Sequence, residues 1–154
     1  MTYISIFNTR HCERSGIMSA ADPVYRILDA NLNRLREALR VIEEYFRFIR
    51  NEETPSIKLK ELRHRIIDIE QELGQAELLQ HRDTERDCFA NVNRSEELDR
   101  KGDSALARAN FKRAQEASRV IEEYSKIGGH AGVSEKAKEI RFVLYKMENE
   151  TMAR

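Results

Sequence analysis

From Asp22 onward, apolar residues recur every three or four positions: Leu28, Leu32, Leu35, Leu39, Ile42, Phe46 and Ile49. That spacing keeps to one side of a helix and predicts an amphipathic helix through Arg50. Asp22-Pro23 is its start signal, because Asp accepts from the free first-turn amides and Pro needs no amide at the first helical position. Asn51-Glu52-Glu53 interrupts the pattern. Thr54-Pro55 repeats the cap-plus-proline signature and opens a second helix with Leu59, Leu62, Ile66, Ile69 and Leu73 on one side. Gly74 weakens or bends that helix before Leu78 and Leu79. Periodicity stops between His81 and Asp103, which predicts a long polar loop of a length uncommon in compact domains. Asp103 then caps a third helix to Ile127, stopped by Gly128-Gly129. Ser134 caps a fourth, carrying Ile140, Val143, Leu144 and Met147.

The pattern is stated twice. Residues 31–45 read Asn-Leu-Asn-Arg-Leu-Arg-Glu-Ala-Leu-Arg-Val-Ile-Glu-Glu-Tyr, and residues 110–124 read Asn-Phe-Lys-Arg-Ala-Gln-Glu-Ala-Ser-Arg-Val-Ile-Glu-Glu-Tyr. Ten of these fifteen positions are identical at an offset of 79. The even helices follow: Ser56-Ile-Lys-Leu-Lys-Glu-Leu-Arg63 and Ser134-Glu-Lys-Ala-Lys-Glu-Ile-Arg141 share five of eight. The repeating unit is thus a helical hairpin, about residues 22–80 and 104–151. One amphipathic hairpin cannot bury its own apolar stripe, whereas two close a bundle. The expected fold is all-α: a pseudo-two-fold four-helix bundle made of two duplicated hairpins with a long central loop. Ala114, Ala117 and Ser118 thin the third helix, allowing close approach or leaving a cleft.

Length and charge narrow the function. The 154 residues suit one domain, taken as 18–154, with 1–17 expected to be a disordered leader or a mis-called start ahead of Met18. Twenty-seven basic residues balance 27 acidic ones, against a nucleic-acid or anionic-membrane binder. No run is long and apolar enough for a membrane span. Cys12 and Cys88 form neither a framework nor a metal spacing, so a reducing, cytoplasmic setting is expected.

Packing explains a shared Val or Ile, but not a shared Asn-x-x-Arg-x-x-Glu. On a helical wheel Asn31, Arg34, Ala38, Val41 and Tyr45 occupy one flank beside the apolar stripe, with Glu37 and Glu44 next to them. Asn110, Arg113 and Glu116 occupy the equivalent flank of the third helix. Two Arg forks facing one cleft suit a ligand carrying more than one phosphate. Glu37, Glu44, Glu116 and Glu123 are balanced between site roles and interhelical pairs with Arg. In Arg82-Asp83-Thr84-Glu85-Arg86-Asp87 the ordinary explanation is a solvated charge run. The alternative is that Asp83 and Asp87 hold hydrated Mg²⁺ while Arg82 and Arg86 meet phosphate. His64 is a candidate phosphate donor or base. No phosphate-binding Gly-rich motif or zinc spacing is present.

Taken in order, Asp29 to Tyr45, Leu62-Arg-His64, Arg82 to Asp87 and Ala109 to Tyr124 resemble the small helical hydroxymethylpyrimidine-phosphate kinase family of thiamine biosynthesis, over about residues 22–150. Members stand alone or are fused ahead of thiamine-phosphate synthase. The family usually has a small apolar residue and then Gly after the second Asp of the third segment, where this chain has Cys88-Phe89. The resemblance implies transfer of a phosphoryl group from ATP to 4-amino-5-hydroxymethyl-2-methylpyrimidine phosphate. The roles expected on this basis are phosphate binding by Arg34 and Arg113 and orientation of the pyrimidine or phosphate oxygens by Asn31 and Asn110. Asp83 and Asp87 would place Mg²⁺, Arg82 would meet the transferred group, and His64 would bind. The alternative from another class is a non-catalytic helical module docking on thiamine-phosphate synthase. Self-association into a homodimer is left open.

Overall fold

The structure is a computed structural model that describes residues 22–85 and 101–153. Residues 1–17, Met18, Cys12, Arg86, Asp87, Cys88, Phe89 and most of the expected loop lie outside the described residues. Five α-helices follow one another: α1 (Asp22–Glu44), α2 (Glu53–Leu73), α3 (Gln75–Gln80), α4 (Asp103–Ile127) and α5 (Ala131–Met152). A single wide π-helical turn, Tyr45–Ile49, extends α1. Among the described residues every regular element is helical. None of these helices is long and apolar enough to cross a membrane.

The apolar stripes meet in one core. Leu28, Leu32, Leu35, Leu39, Ile42 and Phe46 are buried from α1, and Leu59, Leu62, Ile66, Ile69 and Leu73 from α2. Phe111, Ile121, Ile140, Leu144 and Met147 close it from α4 and α5. Each large side chain removed from water contributes on the order of 1.5–3 kcal/mol. Helix α1 lies mainly against α4, with α2 beside α1 and α5 beside α4. The two hairpins therefore meet through their first helices. Ala114, Ala117 and Ser118 are buried in that contact region, where short side chains let the backbones come close.

Helix ends differ from the expected ones. Helix α2 begins at Glu53, not after Thr54, and its first-turn amides receive no side-chain cap from Glu52. Ser56 instead donates from Oγ to the Glu52 carbonyl at 2.7 Å. Helix α5 begins at Ala131, which makes Ser134 an interior residue; its Oγ donates to the Glu122 carbonyl on α4 at 2.9 Å. Asp103 is inside the first turn of α4, and its Oδ1 accepts from the Ser104 amide at 2.7 Å. Gly74 does interrupt the second helix: at φ +86°, a region L side chains rarely adopt, it separates α2 from α3. Ile49, expected on the apolar face, is half exposed because the π turn places it out of phase with Phe46.

Repeated charges fasten each hairpin. Glu43 on α1 accepts from Arg63 on α2, and at the duplicate positions Glu122 on α4 accepts from Arg141 on α5. Arg40 and Arg119 add a second cation to each cluster and also pair with Glu44 and Glu123. Glu44 and Glu123 pair along their own helices rather than between helices, the interhelical bonds being made by Glu43 and Glu122. The Glu122–Arg141 pair is almost fully removed from water, at 6% and 12% side-chain exposure. Removing one partner of such a pair strands the other, at a cost of about 3–5 kcal/mol. Arg141→Ala is expected to lower unfolding free energy in urea by about 3 kcal/mol, whereas half-exposed Arg119→Ala costs under about 1 kcal/mol. Equal effects would show that burial does not set the strength of these pairs.

Candidate anion-binding cleft

Between α1 and α4 runs a cleft of about 650 Å³, within the size range of small-molecule sites. From α1 it is lined by Asn31, Arg34, Glu37, Ala38 and Val41, and from α4 by Asn110, Arg113, Glu116, Ala117 and Val120. Each residue of one set is the duplicate of its counterpart in the other. Steps of three and four residues place each set along one helical flank. Because that flank adjoins the apolar stripe, packing the two stripes together brings the two polar flanks face to face.

The two asparagines are held from behind. Asn31 Nδ2 donates to the Ile27 carbonyl and Asn110 Nδ2 to the Leu106 carbonyl, each at 2.9 Å. A carbonyl can only accept, so the amide nitrogen is the group facing it, and Oδ1 is the acceptor each Asn has to offer. Both residues are buried, at 6% and 3% exposure, which fixes their orientation. Nδ2 carries a second hydrogen, so each Asn keeps a donor for a phosphate oxygen as well as the acceptor Oδ1 for an amine.

The arginines and glutamates of the cleft differ from the charged residues around them. Arg36, Arg40, Arg63, Arg82, Arg119 and Arg141 each meet a carboxylate. Arg34 and Arg113 are exposed, and neither they nor Glu37 and Glu116 has an ion-pair partner among the described residues. Two guanidinium forks with all their donors unspent, beside two unpaired carboxylates, form a polar wall over a floor of Ala38, Ala117, Val41 and Val120.

Three expected members lie elsewhere. His64 is exposed and lines a different hollow, between the end of α1 and the start of α2. Arg82 and Asp83 line a small recess on another side of α1, with Arg26, Asp29 and Asn33. There Arg82 donates from Nε and Nη2 to the two oxygens of Asp29, both at 2.8 Å. These hydrogen bonds raise the affinity of Arg82 for its proton above an already high value. Arg26 donates to the Asp83 carbonyl at 2.9 Å and stands 4.0 Å from its carboxylate. The described start of the central segment is thus tied to another side of α1 than the one that lines the cleft. Among the described residues no group of three or more His, Cys, Asp or Glu is arranged to hold a metal. Sequence reasoning missed Asp29, whose signal was a break in the repeat: its duplicate position is Arg108.

Fold and cleft together define a duplicated helical bundle with a groove between its two halves that is lined by duplicate Asn, Arg and Glu residues. The chain belongs to the ThiD2 family, which it matches over residues 26–150. It is 44% identical over 126 residues to a thiamine-phosphate synthase from Thermosynechococcus vestitus, covering 80% of this chain and 34% of that protein. It is 39% identical over 132 residues to a thiamine-phosphate synthase from Nostoc punctiforme, covering 84% and 35%. A thiamine-phosphate synthase from a Nostoc species is 40% identical over 129 residues, covering 84% and 35%. The chain thus spans about a third of the length of the curated relatives it matches. No solved structure matches it significantly.

Arg34→Ala and Arg113→Ala each remove a side chain that has no ion-pair partner among the described residues. Each is expected to change unfolding free energy by no more than about 0.5 kcal/mol. A thermal melt showing a loss of several kcal/mol would make these arginines structural.

Proposed function

We propose that the chain phosphorylates 4-amino-5-hydroxymethyl-2-methylpyrimidine phosphate to the diphosphate, using ATP, in the biosynthesis of thiamine. The observation that carries this is the pair of duplicated guanidinium groups on a single cleft, neither with an ion-pair partner among the described residues. Membership of the ThiD2 family and similarity to thiamine-phosphate synthases support the pathway.

The chemistry suits a site built from two copies of one half. Donor and acceptor each carry an aminopyrimidine edge and at least one phosphate. Asn Oδ1 on each side would accept from an exocyclic amine, and Val41 and Val120 would lie against the ring faces. Arg34 and Arg113 would then grip the phosphates from opposite walls, where bidentate geometry holds them in line. The terminal phosphorus bonds to an oxygen of the acceptor phosphate as its bond to the ADP oxygen breaks, leaving ADP and the pyrimidine diphosphate. That acceptor oxygen is already anionic, so positioning and charge neutralisation are the main demands and no strong base is required. His64, outside the cleft, is not needed as one.

Magnesium accompanying ATP fits the carboxylates of the cleft better than Asp83. Glu37 and Glu116 lack ion-pair partners among the described residues, and Mg²⁺ is commonly held by one or two carboxylates together with substrate phosphates. When bound, the ion supplies neutralisation of phosphate charge. Asp83 shares its recess with the Arg26 guanidinium.

The test is ADP formation with the pyrimidine monophosphate present and absent. ADP should appear only with the acceptor, together with the pyrimidine diphosphate. Arg34→Ala or Arg113→Ala should lower kcat/KM at least 100-fold, on the order of 3 kcal/mol of transition-state stabilisation. Turnover within a few-fold of the parent chain would remove the cleft as the site.

A further inference from the structure

The two halves differ where the first helix of each hairpin turns into the second. Between Tyr45 and Ser56 the first half carries one residue more than the second has between Tyr124 and Ser134, since the repeat offset falls from 79 to 78. The π turn Tyr45–Ile49 takes up that residue, with Arg50 N donating to the Tyr45 carbonyl five positions back at 3.0 Å. Single π turns inside helices are uncommon and concentrate at functional sites. In the second half α4 has no such turn.

The consequence is a hollow in one half. In the second half Ser134 reaches across from α5 to the Glu122 carbonyl on α4. In the first half Ser56 bonds within its own helix start, and a cavity of about 520 Å³ opens between the end of α1 and the start of α2. Arg141 gives both Nε and Nη2 to Glu122, at 3.0 and 2.6 Å, and its guanidinium lies 5.0 Å from the Phe142 ring centre. Its duplicate Arg63 gives Nη1 to Glu43 and leaves Nε buried with no hydrogen-bond partner. His64 stands where the second half has Phe142.

We propose that this hollow is a second anion site, separate from the cleft, that takes a phosphate monoester or diphosphate through Arg47, Lys60, Arg63 and His64. All four line the cavity. Among the described residues Arg47 and Lys60 have no carboxylate partner. The acidic residues of the wall are partly answered already: Glu43 by Arg63 and Arg40, and Glu52 by Arg50. Glu53, in the first turn of α2, has no ion-pair partner among the described residues and limits the net charge to a modest positive value. A compact anion can accept from the spare Arg63 donor and meet Arg47 and Lys60, whereas in the duplicate half Arg141 spends Nε and Nη2 on Glu122 and lies beside the Phe142 ring.

The measurement is calorimetric titration of inorganic pyrophosphate into the full chain carrying Arg34→Ala and Arg113→Ala. Binding should persist in that variant. Adding Arg47→Ala and Lys60→Ala should weaken the persisting site at least tenfold, and adding His64→Phe instead, which copies the second half, should weaken it likewise with the melting temperature unchanged. Loss of all pyrophosphate binding on removing the cleft arginines overturns the proposal, as does less than a tenfold effect of the Arg47 and Lys60 changes. Either result is independent of whether the cleft carries out phosphoryl transfer.

Discussion

The contact of α1 with α4 is the constraint on which the remainder of the molecule depends. These are two copies of one helix, and each carries its polar flank immediately beside its apolar stripe. Burying the two stripes against each other leaves the flanks no choice but to border the same groove. Short side chains at Ala38, Ala114, Ala117 and Ser118 allow the close approach. A bulky residue at Ala38 or Ala117, both on the cleft floor, would fill the space in which a ligand could sit.

Within that frame the repeated polar residues divide by what they touch. Arg40, Glu43, Glu44 and Arg63, with their duplicates, are spent on one another and tie the helices of each hairpin together. Asn31, Arg34 and Glu37, with theirs, have side-chain groups left over. The difference follows from helical angle. Glu43 turns toward the neighbouring even helix, where it meets Arg63, whereas Arg34 turns toward the cleft and has no ion-pair partner among the described residues. Duplication places two arginines and two glutamates along the same groove.

Duplication also shows where the halves have diverged. The extra residue in the first hairpin is absorbed as a π turn that keeps Tyr45 and Phe46, within it, and Leu59, after it, in the core. A register shift along either helix would have exposed one of those stripes. The surplus therefore collected at the connection, and the hollow beside Arg63 is its result. At the opposite end Asp29 and Arg108 break the repeat in another way, one binding Arg82 and the other donating to the Met152 carbonyl.

The helices, their buried faces and the pairing of Asn31, Arg34 and Glu37 with Asn110, Arg113 and Glu116 were legible in the chain, because helical period and duplication are both written along one dimension. Helix starts were less so: Thr54 and Ser134 look like caps, yet both lie inside helices that begin earlier, and Ser134 is drawn across to α4. His64, Arg82 and Asp83 were grouped with the cleft on their chemistry alone. Only the tertiary structure decided against that grouping, since a side chain's neighbours depend on the direction in which its helix face is turned when the hairpins close. The order of residues determines which faces exist; the packing of those faces determines which charges find a partner and which stay available to a ligand.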